Sequence, residues 1–270
     1  MMDETEIGAA AAQLDAAERT RRQIGLLSLE YPEITMADAY AIQRAWIEMK
    51  LHAGRRVIGR KIGLTSRAMQ AALNISTPDS GVLLDDMRFP DGAQIPADRF
   101  IQPRIEAEIA FVLKTPLEGP GVSVFDVLNA TDYICPALEI LDTRILRADP
   151  ATGTMRNVYD TVADNAANAG IVTGGRPIRP DETDMRWIGA VVSRNASIEE
   201  TGLGAAVLNH PAAGIVWLAD RLGSYGERLE PGEVVLSGSF IRPIEARQGD
   251  TIVADYGPFG TVSCHFERAD

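Results

Sequence analysis

The sequence predicts an α+β protein: an N-terminal helical portion over residues 1–55, then a strand-rich body over residues 56–270. Two observations predict it. Apolar residues at helical spacing are concentrated near the N-terminus. The rest is dominated by short β-prone runs broken by Gly, Pro and Asn, without regular strand–helix alternation. Such a body is expected to form an antiparallel or mixed sheet rather than a doubly wound parallel one.

Residues 9–24 read as a first helix, Ala-rich and then charged at Arg19, Arg21 and Arg22. Thr35 and Asp38 have capping-box spacing, with Asp in place of the usual Glu. The helix they open places Met36, Ala39, Tyr40, Gln43, Trp46 and Ile47 at helical spacing. Val57 to Leu64 reads as a strand with glycines that allow close approach, and Ser66 as the cap of a short helix through Leu73. Residues 115–130 are turn-rich, and 143–165 form a long polar stretch of the kind that is often functional. A strand over 185–193 and a turn at Arg194–Ser197 follow. Asn209 is the expected cap of a helix with Pro211 in its first turn and Gly223 past its end. Glu230–Glu233 is a turn leading into a strand over Val234–Phe240, and Asp250–Phe266 reads as a strand pair broken by Gly257–Gly260.

Composition excludes several functions. The chain has 270 residues and a net charge of −12, which argues against a nucleic-acid partner. Any anionic substrate must therefore be drawn by local positive charge. No run of about 18 apolar residues is present, so no membrane span is expected. The acidic start, Met1 to Glu6, lacks the regions of a signal peptide. Cys135 and Cys264 sit in apolar runs, as buried thiols in a reducing compartment do, and a cytoplasmic protein is expected. His52, His210 and His265 share no ligand spacing, which makes zinc a poor fit. No phosphate-binding or nucleophile-elbow glycine motif follows a strand.

The densest chemical signal is Arg104-Ile-Glu-Ala-Glu-Ile-Ala-Phe-Val-Leu113. Side chains alternate along a strand, so Glu106 and Glu108 share a face, and the apolar run after them points to burial. Two like charges there repel and lose hydration, and a cation is the simplest offset. Glu139 lies in a similar setting, Cys135 to Leu141. Three carboxylates form an all-oxygen set suited to Mg²⁺ or Mn²⁺. The alternative is a Glu-x-Glu pair on a solvated face of an antiparallel strand. Lys61, between Gly59 and Gly63, is either a desolvated acid–base group or a lysine whose head reaches water. Asp79 and the amide-rich run Asp160–Gly170 are open to turn and capping roles or to lining a pocket.

Several motifs together resemble the hydratase and decarboxylase branch of the fumarylacetoacetate hydrolase superfamily. They are Gly59-Arg-Lys-Ile-Gly-Leu-Thr-Ser66, Leu83-Leu-Asp-Asp-Met87, Pro103–Glu108, Asn129–Tyr133, Pro136–Glu139, Asp164–Gly170, Gly202–Pro211 and Gly238-Ser-Phe240. The similarity spans nearly the whole chain. It implies a mixed β-roll or sandwich body, with Glu106, Glu108 and Glu139 holding Mg²⁺ or Mn²⁺. It implies Lys61 and Asp79 as proton handlers, and Ser239 and Leu84 as substrate contacts. Near a bound cation, the Lys61 pKa is expected to fall toward neutrality. The implied reaction is hydration of a small 2-oxo or 2-hydroxy dienoate that carries a second carboxylate. Rival readings are decarboxylation of a 2-oxo-3-hexenedioate, hydration of the monocarboxylate 2-hydroxypentadienoate, C–C hydrolysis of an acylpyruvate, and a metal-binding partner subunit of a decarboxylase. Arg60, Arg67, Arg144 and Arg156 are the candidates for the far carboxylate. The implied assembly is a homo-oligomer, at least a dimer, with a decamer among the family's forms. The turn Thr77–Ser80 and the loop 143–158 depart most from the family's pattern, which bears on substrate length rather than on metal binding.

Overall fold

The first helix, α1 (Glu4–Thr20), starts earlier than its Ala-rich pattern predicts. The Asp3 carboxylate accepts from the Thr5 and Glu6 amides at 2.8 and 2.9 Å, and Glu6 accepts from the Asp3 amide at 2.9 Å. This capping box moves the helix start forward. A single turn, α2 (Leu27–Glu30), precedes α3 (Met36–His52). The Thr35–Asp38 box opens α3 as expected, with Thr35 Oγ1 accepting from the Asp38 amide at 3.2 Å. The core of these helices is completed by residues from elsewhere. Leu14, Leu27, Ile42 and Trp46 pack with Ile145, Val162 and Ala163 from much later in the chain.

The computed structural model describes residues 1–66, 70 and 77–269. The body of the helix expected from Ser66 to Leu73 lies largely outside the described residues, as does the candidate Arg67. The strands are β1 (Val57–Gly63), β2 (Asp79–Leu84), β3 (Arg88–Pro90), β4 (Ala93–Ile95), β5 (Arg104–Leu113), β6 (Thr131–Leu141) and β7 (Asn168–Thr173). After them come β8 (Gly189–Arg194), β9 (Ser197–Leu203), β10 (Val234–Leu236), β11 (Ile244–Glu245), β12 (Thr251–Asp255) and β13 (Thr261–Phe266). One sheet runs β2-β1-β10-β5-β6-β7-β3, with β11 also on β5, and the other runs β4-β13-β12-β8-β9. The pairs β1–β10, β3–β7 and β4–β13 are parallel and the others antiparallel, so both sheets are mixed.

The central pair, β5 and β6, explains why the sequence there is apolar on both faces. Ile105, Ala107, Ile109, Phe111 and Leu113 face the second sheet, packing in one core with Ile252, Ala254 and Val262. The other face puts Ala110 with Leu83, Ala137, Ile171 and Leu236. Glu106 and Glu108 belong to this second face by strand alternation.

Among the described residues, three α-helices join the body: α4 (Val124–Ala130), α5 (Val158–Ala163) and α6 (Pro211–Gly223). The first two correct the expectation of irregular chain over 115–130 and 143–165. Ser123–Asp126 and Asn157–Asp160 capping boxes start them, with Asp again at the third position. Asn209 does not cap α6. His210 does, its Nδ1 accepting from the Ala212 amide at 3.1 Å, while Asn209 takes a left-handed φ of 69°. The strand expected over 234–240 stops at Leu236, because Gly238 leaves the sheet at φ 117°. The turn before Ser197 is as predicted, with Asn195 and Ala196 both left-handed.

Candidate active site

Glu106 and Glu139 are directly opposed in the β5–β6 ladder, and Glu108 stands two positions from Glu106 on the same face. One oxygen from each carboxylate lies within 4.8 Å of the others. Glu108 and Glu139 are 0% exposed, whereas Glu106 is half-buried. Glu108 Oε2 accepts from the Gly238 amide at 2.8 Å. Glu108 Oε1 and both oxygens of Glu139 are buried without a hydrogen-bond partner. Buried carboxylate oxygens left this way cost several kcal/mol unless a cation meets them, on the order of the penalty for an unpaired buried charge. An all-oxygen set with unmet lone pairs fits Mg²⁺ or Mn²⁺.

Lys61 enters this face from β1 and is 3% exposed. Its Nζ lies 3.3 Å from Glu139 Oε1, at ion-pair distance. Asp79, also 3% exposed, pairs with Gly63 across β1–β2, and its Oδ1 has no hydrogen-bond partner. Glycine at 63 is needed because a Cβ there would collide with Asp79 Oδ1 and lie 3.1 Å from Lys61 Nζ. Lys61, Asp79 and the three glutamates are thus gathered on one buried surface.

Burial pushes the Glu106 carboxyl up to about 8, with the Glu139 charge adding to the effect. It raises Glu108 and Glu139 as well, and Asp79 despite the Lys61 ammonium. For Lys61, burial acts downward, but Glu139, Asp79, Glu106 and Glu108 outweigh it and hold the ammonium above its ordinary value. This holds for the metal-free site, where four carboxylates surround one lysine and their summed attraction exceeds its desolvation; the expected fall toward neutrality concerns the site with a cation in place.

The segment Asp164–Asn168 runs along β2. Asn165 binds it like an extra strand, accepting from the Val82 amide at 2.7 Å and donating to its carbonyl at 2.9 Å. Asn165, Ala166 and Ala167 are all left-handed, a strained run of the kind held in place at functional sites. The Arg144 guanidinium anchors this segment. It pairs with the Asp164 carboxylate and donates to the carbonyls of Asp164 at 2.8 Å and Asn168 at 3.2 Å.

Other expected residues are placed elsewhere. Leu84 points to the opposite face of β2 and packs with Ile47, Val82 and Met87, so its side chain does not meet the carboxylates. Its neighbour Leu83 is on the site's face. The Ser239 hydroxyl donates to the Ile241 carbonyl at 2.9 Å, and it is the preceding Gly238 that contacts Glu108. Arg60 alternates away from Lys61 and pairs with Glu227 at 3.4 Å. Arg144 is 1% exposed and committed to Asp164. Tyr256 was not foreseen. From the second sheet, its hydroxyl accepts from the Glu108 amide at 3.0 Å and reaches the Ala137 carbonyl at 2.7 Å, tying the two central strands beneath the site. Nothing in its local sequence, Asp255-Tyr-Gly257, signals that role. A cleft of about 780 Å³ along the second sheet, lined by Ile178, Trp187, Leu203 and Phe259 among others, contains none of the clustered acids.

No protein-family model matches the chain. It is 59% identical over 256 residues to 2-oxo-hept-4-ene-1,7-dioate hydratase of Escherichia coli, covering 95% of this chain and 96% of that protein. It is 40% identical to 2-hydroxyhexa-2,4-dienoate hydratase of Comamonas testosteroni, covering 98% and 99%. Among solved structures, 4-oxalocrotonate decarboxylase from Pseudomonas putida G7, complexed with magnesium and adipate, superposes with a TM-score of 0.93 at 35% identity, covering 98% and 99%.

Proposed function

Since the chain belongs to the hydratase and decarboxylase branch of the fumarylacetoacetate hydrolase superfamily, we propose that it is a metal-dependent hydro-lyase of aromatic meta-cleavage catabolism. It adds water to 2-oxo-hept-4-ene-1,7-dioate to give 4-hydroxy-2-oxoheptanedioate. The observation that carries this is the single buried face on which Glu106, Glu108, Glu139, Lys61 and Asp79 converge with carboxylate oxygens unmet. The 59% relative favours the seven-carbon dioate over the shorter substrates and over decarboxylation.

Glu106, Glu108 and Glu139 hold Mg²⁺ or Mn²⁺. When bound, that ion would supply Lewis-acid stabilisation of negative charge developing on a 2-oxo acid. The protein residues do the rest. The Lys61 ammonium donates a proton to C5 of the 2-hydroxydiene as the 2-hydroxyl loses its own, leaving a conjugated 3-ene. Water then joins C4 and a proton joins C3. Asp79, facing Lys61, is the second proton carrier. Gly238 fixes the Glu108 carboxylate through its amide.

The same reading includes a homo-oligomer acting in the cytoplasm. Exposed Trp187, Val191 and Leu203 lining the apolar cleft support self-association, and the two buried free cysteines suit a reducing compartment. No helix among the described residues is long and apolar enough to cross a membrane. The division into a helical portion, 1–55, and a catalytic body, 56–270, belongs to this proposal as well. The test is incubation of the purified chain and Mg²⁺ with each dienoate. Loss of diene absorbance without CO₂ is the expected result for the seven-carbon dioate. CO₂ release moves the assignment to decarboxylation, and neither signal leaves a partner-subunit role.

A further inference from the structure

Resting on the dioate reading above, we infer that Arg104 and Arg156, with Arg147 beside them, form the subsite for the substrate's distal carboxylate and set the preference for dioates. Among the described residues Lys61 is the cation at ion-pair distance from the clustered acids, and with a divalent ion in place four carboxylates there face three positive charges. That centre repels a second substrate carboxylate, so the tail must find cations farther out.

Arg104 is on β5, two positions before Glu106 and therefore on the same face, roughly 7 Å farther along the strand at its exposed end. The stretch 147–156 is not irregular chain but a hairpin. Ala148 and Met155 form an antiparallel bridge, and the Arg156 amide donates to the Arg147 carbonyl at 3.0 Å. The two arginines face each other across its base. Arg156 is half-buried, and burial, with the charges of Arg104 and Arg147 adding to it, holds its guanidinium below the ordinary value.

Among the described residues none of the three guanidiniums forms an ion pair, although acids outnumber bases in the chain. The carboxylates that Arg156 does sense, Asp164 and Asp160, are taken by Arg144 and by Ser28 and Asn157. The row of the sheet that includes Arg104 has a second unmet polar group. Leu141 pairs with Arg104 on one side and with Asn168 on the other, and the buried Asn168 amide has neither its oxygen nor its nitrogen satisfied. Unpaired cations on one row of the sheet and on the neighbouring hairpin, with an unmet amide in that row, suit recognition of a carboxylate.

The test uses the Mg²⁺-loaded full chain and two unreactive probes by calorimetry, 2-oxoheptanedioate and 2-oxopentanoate. The parent protein is expected to prefer the dioate by about 10- to 100-fold, on the scale of close charge pairs at interfaces. Arg156→Met and Arg104→Met should each bring that ratio toward unity while leaving 2-oxopentanoate binding unchanged, which also reports an intact fold and metal site. Arg156→Lys should keep part of the preference. A parent preference that survives both Met variants overturns the assignment, as does equal weakening of both probes. Failure of the reaction reading would show instead as absence of diene turnover with the probe ratio intact.

Discussion

Replacing Asp164 by alanine strips the counter-charge from a guanidinium that is 1% exposed. Burial pushes Asp164 up to about 6 even though Arg144 pulls it down, while the Asp164 charge holds Arg144 above its ordinary value. Desolvation thus consumes much of the attraction, and the intact pair adds little net stability. Breaking it is another matter. Arg144 keeps its contacts to the carbonyls of Asp164 and Asn168 and its place 5.0 Å from the Trp46 ring centre, but the charge is left uncompensated. Such a loss costs about 3–5 kcal/mol, whereas replacing both partners by apolar residues is nearly neutral or stabilising. Urea unfolding of the parent, Asp164→Ala, Arg144→Leu and the double variant should therefore show strong non-additivity, with the double variant well above the sum of the singles. A cost below about 1 kcal/mol for Asp164→Ala, or additive effects, would refute the buried-pair account. Arg144→Lys should destabilise the fold without selectively raising KM for the dioate, which separates an anchor of the Asp164–Asn168 segment from a substrate ligand.

Other outcomes follow from the acid cluster. Glu108→Gln should abolish tight Mg²⁺ binding by calorimetry, and EDTA should remove activity that Mg²⁺ or Mn²⁺ restores; full affinity and turnover in the variant would dismiss the ligand set. Because burial raises the Glu106 carboxyl to about 8 and pushes Glu108 and Glu139 upward as well, the metal-free site holds the Glu106 proton near pH 7, and an ion must expel it. Affinity should then rise with pH toward about 8, roughly tenfold per unit for each proton released. These folded-state values lie above unfolded ones, so the carboxyls stabilise the metal-free fold at low pH and that contribution fades as pH climbs through about 8. The gap in Tm between metal-loaded and metal-free protein should widen from pH 6 to 8, and calorimetry in two buffers that shows no proton release would contradict this. Lys61→Met should lower kcat by roughly 10²-fold or more, the scale of acid–base catalysis. A rise in KM alone would transfer the proton role to Asp79.

The sequence by itself determined the fold class and the metal-ligand candidates, because both rest on local periodicity. Alternation along a strand puts Glu106 and Glu108 on one face whatever the rest of the chain does, and the Thr35–Asp38 box acts over a single turn. It underread helices started by Asp in capping boxes, such as Ser123–Asp126, since their short apolar patterns are weak. Which arginine serves the site was beyond it. Arg144 and Arg156 lie in one polar stretch, yet Asp164 claims the first and leaves the second without an ion pair, within the electrostatic reach of Arg104, which is 52 residues away in the chain. The electrostatic surroundings of Lys61 were likewise out of reach, because they come from four acids delivered by three other strands. Register and pairing across the sheet set those distances, and no local pattern encodes them. The same holds for Tyr256, whose hydroxyl reaches Glu108 only because the second sheet packs beneath β5.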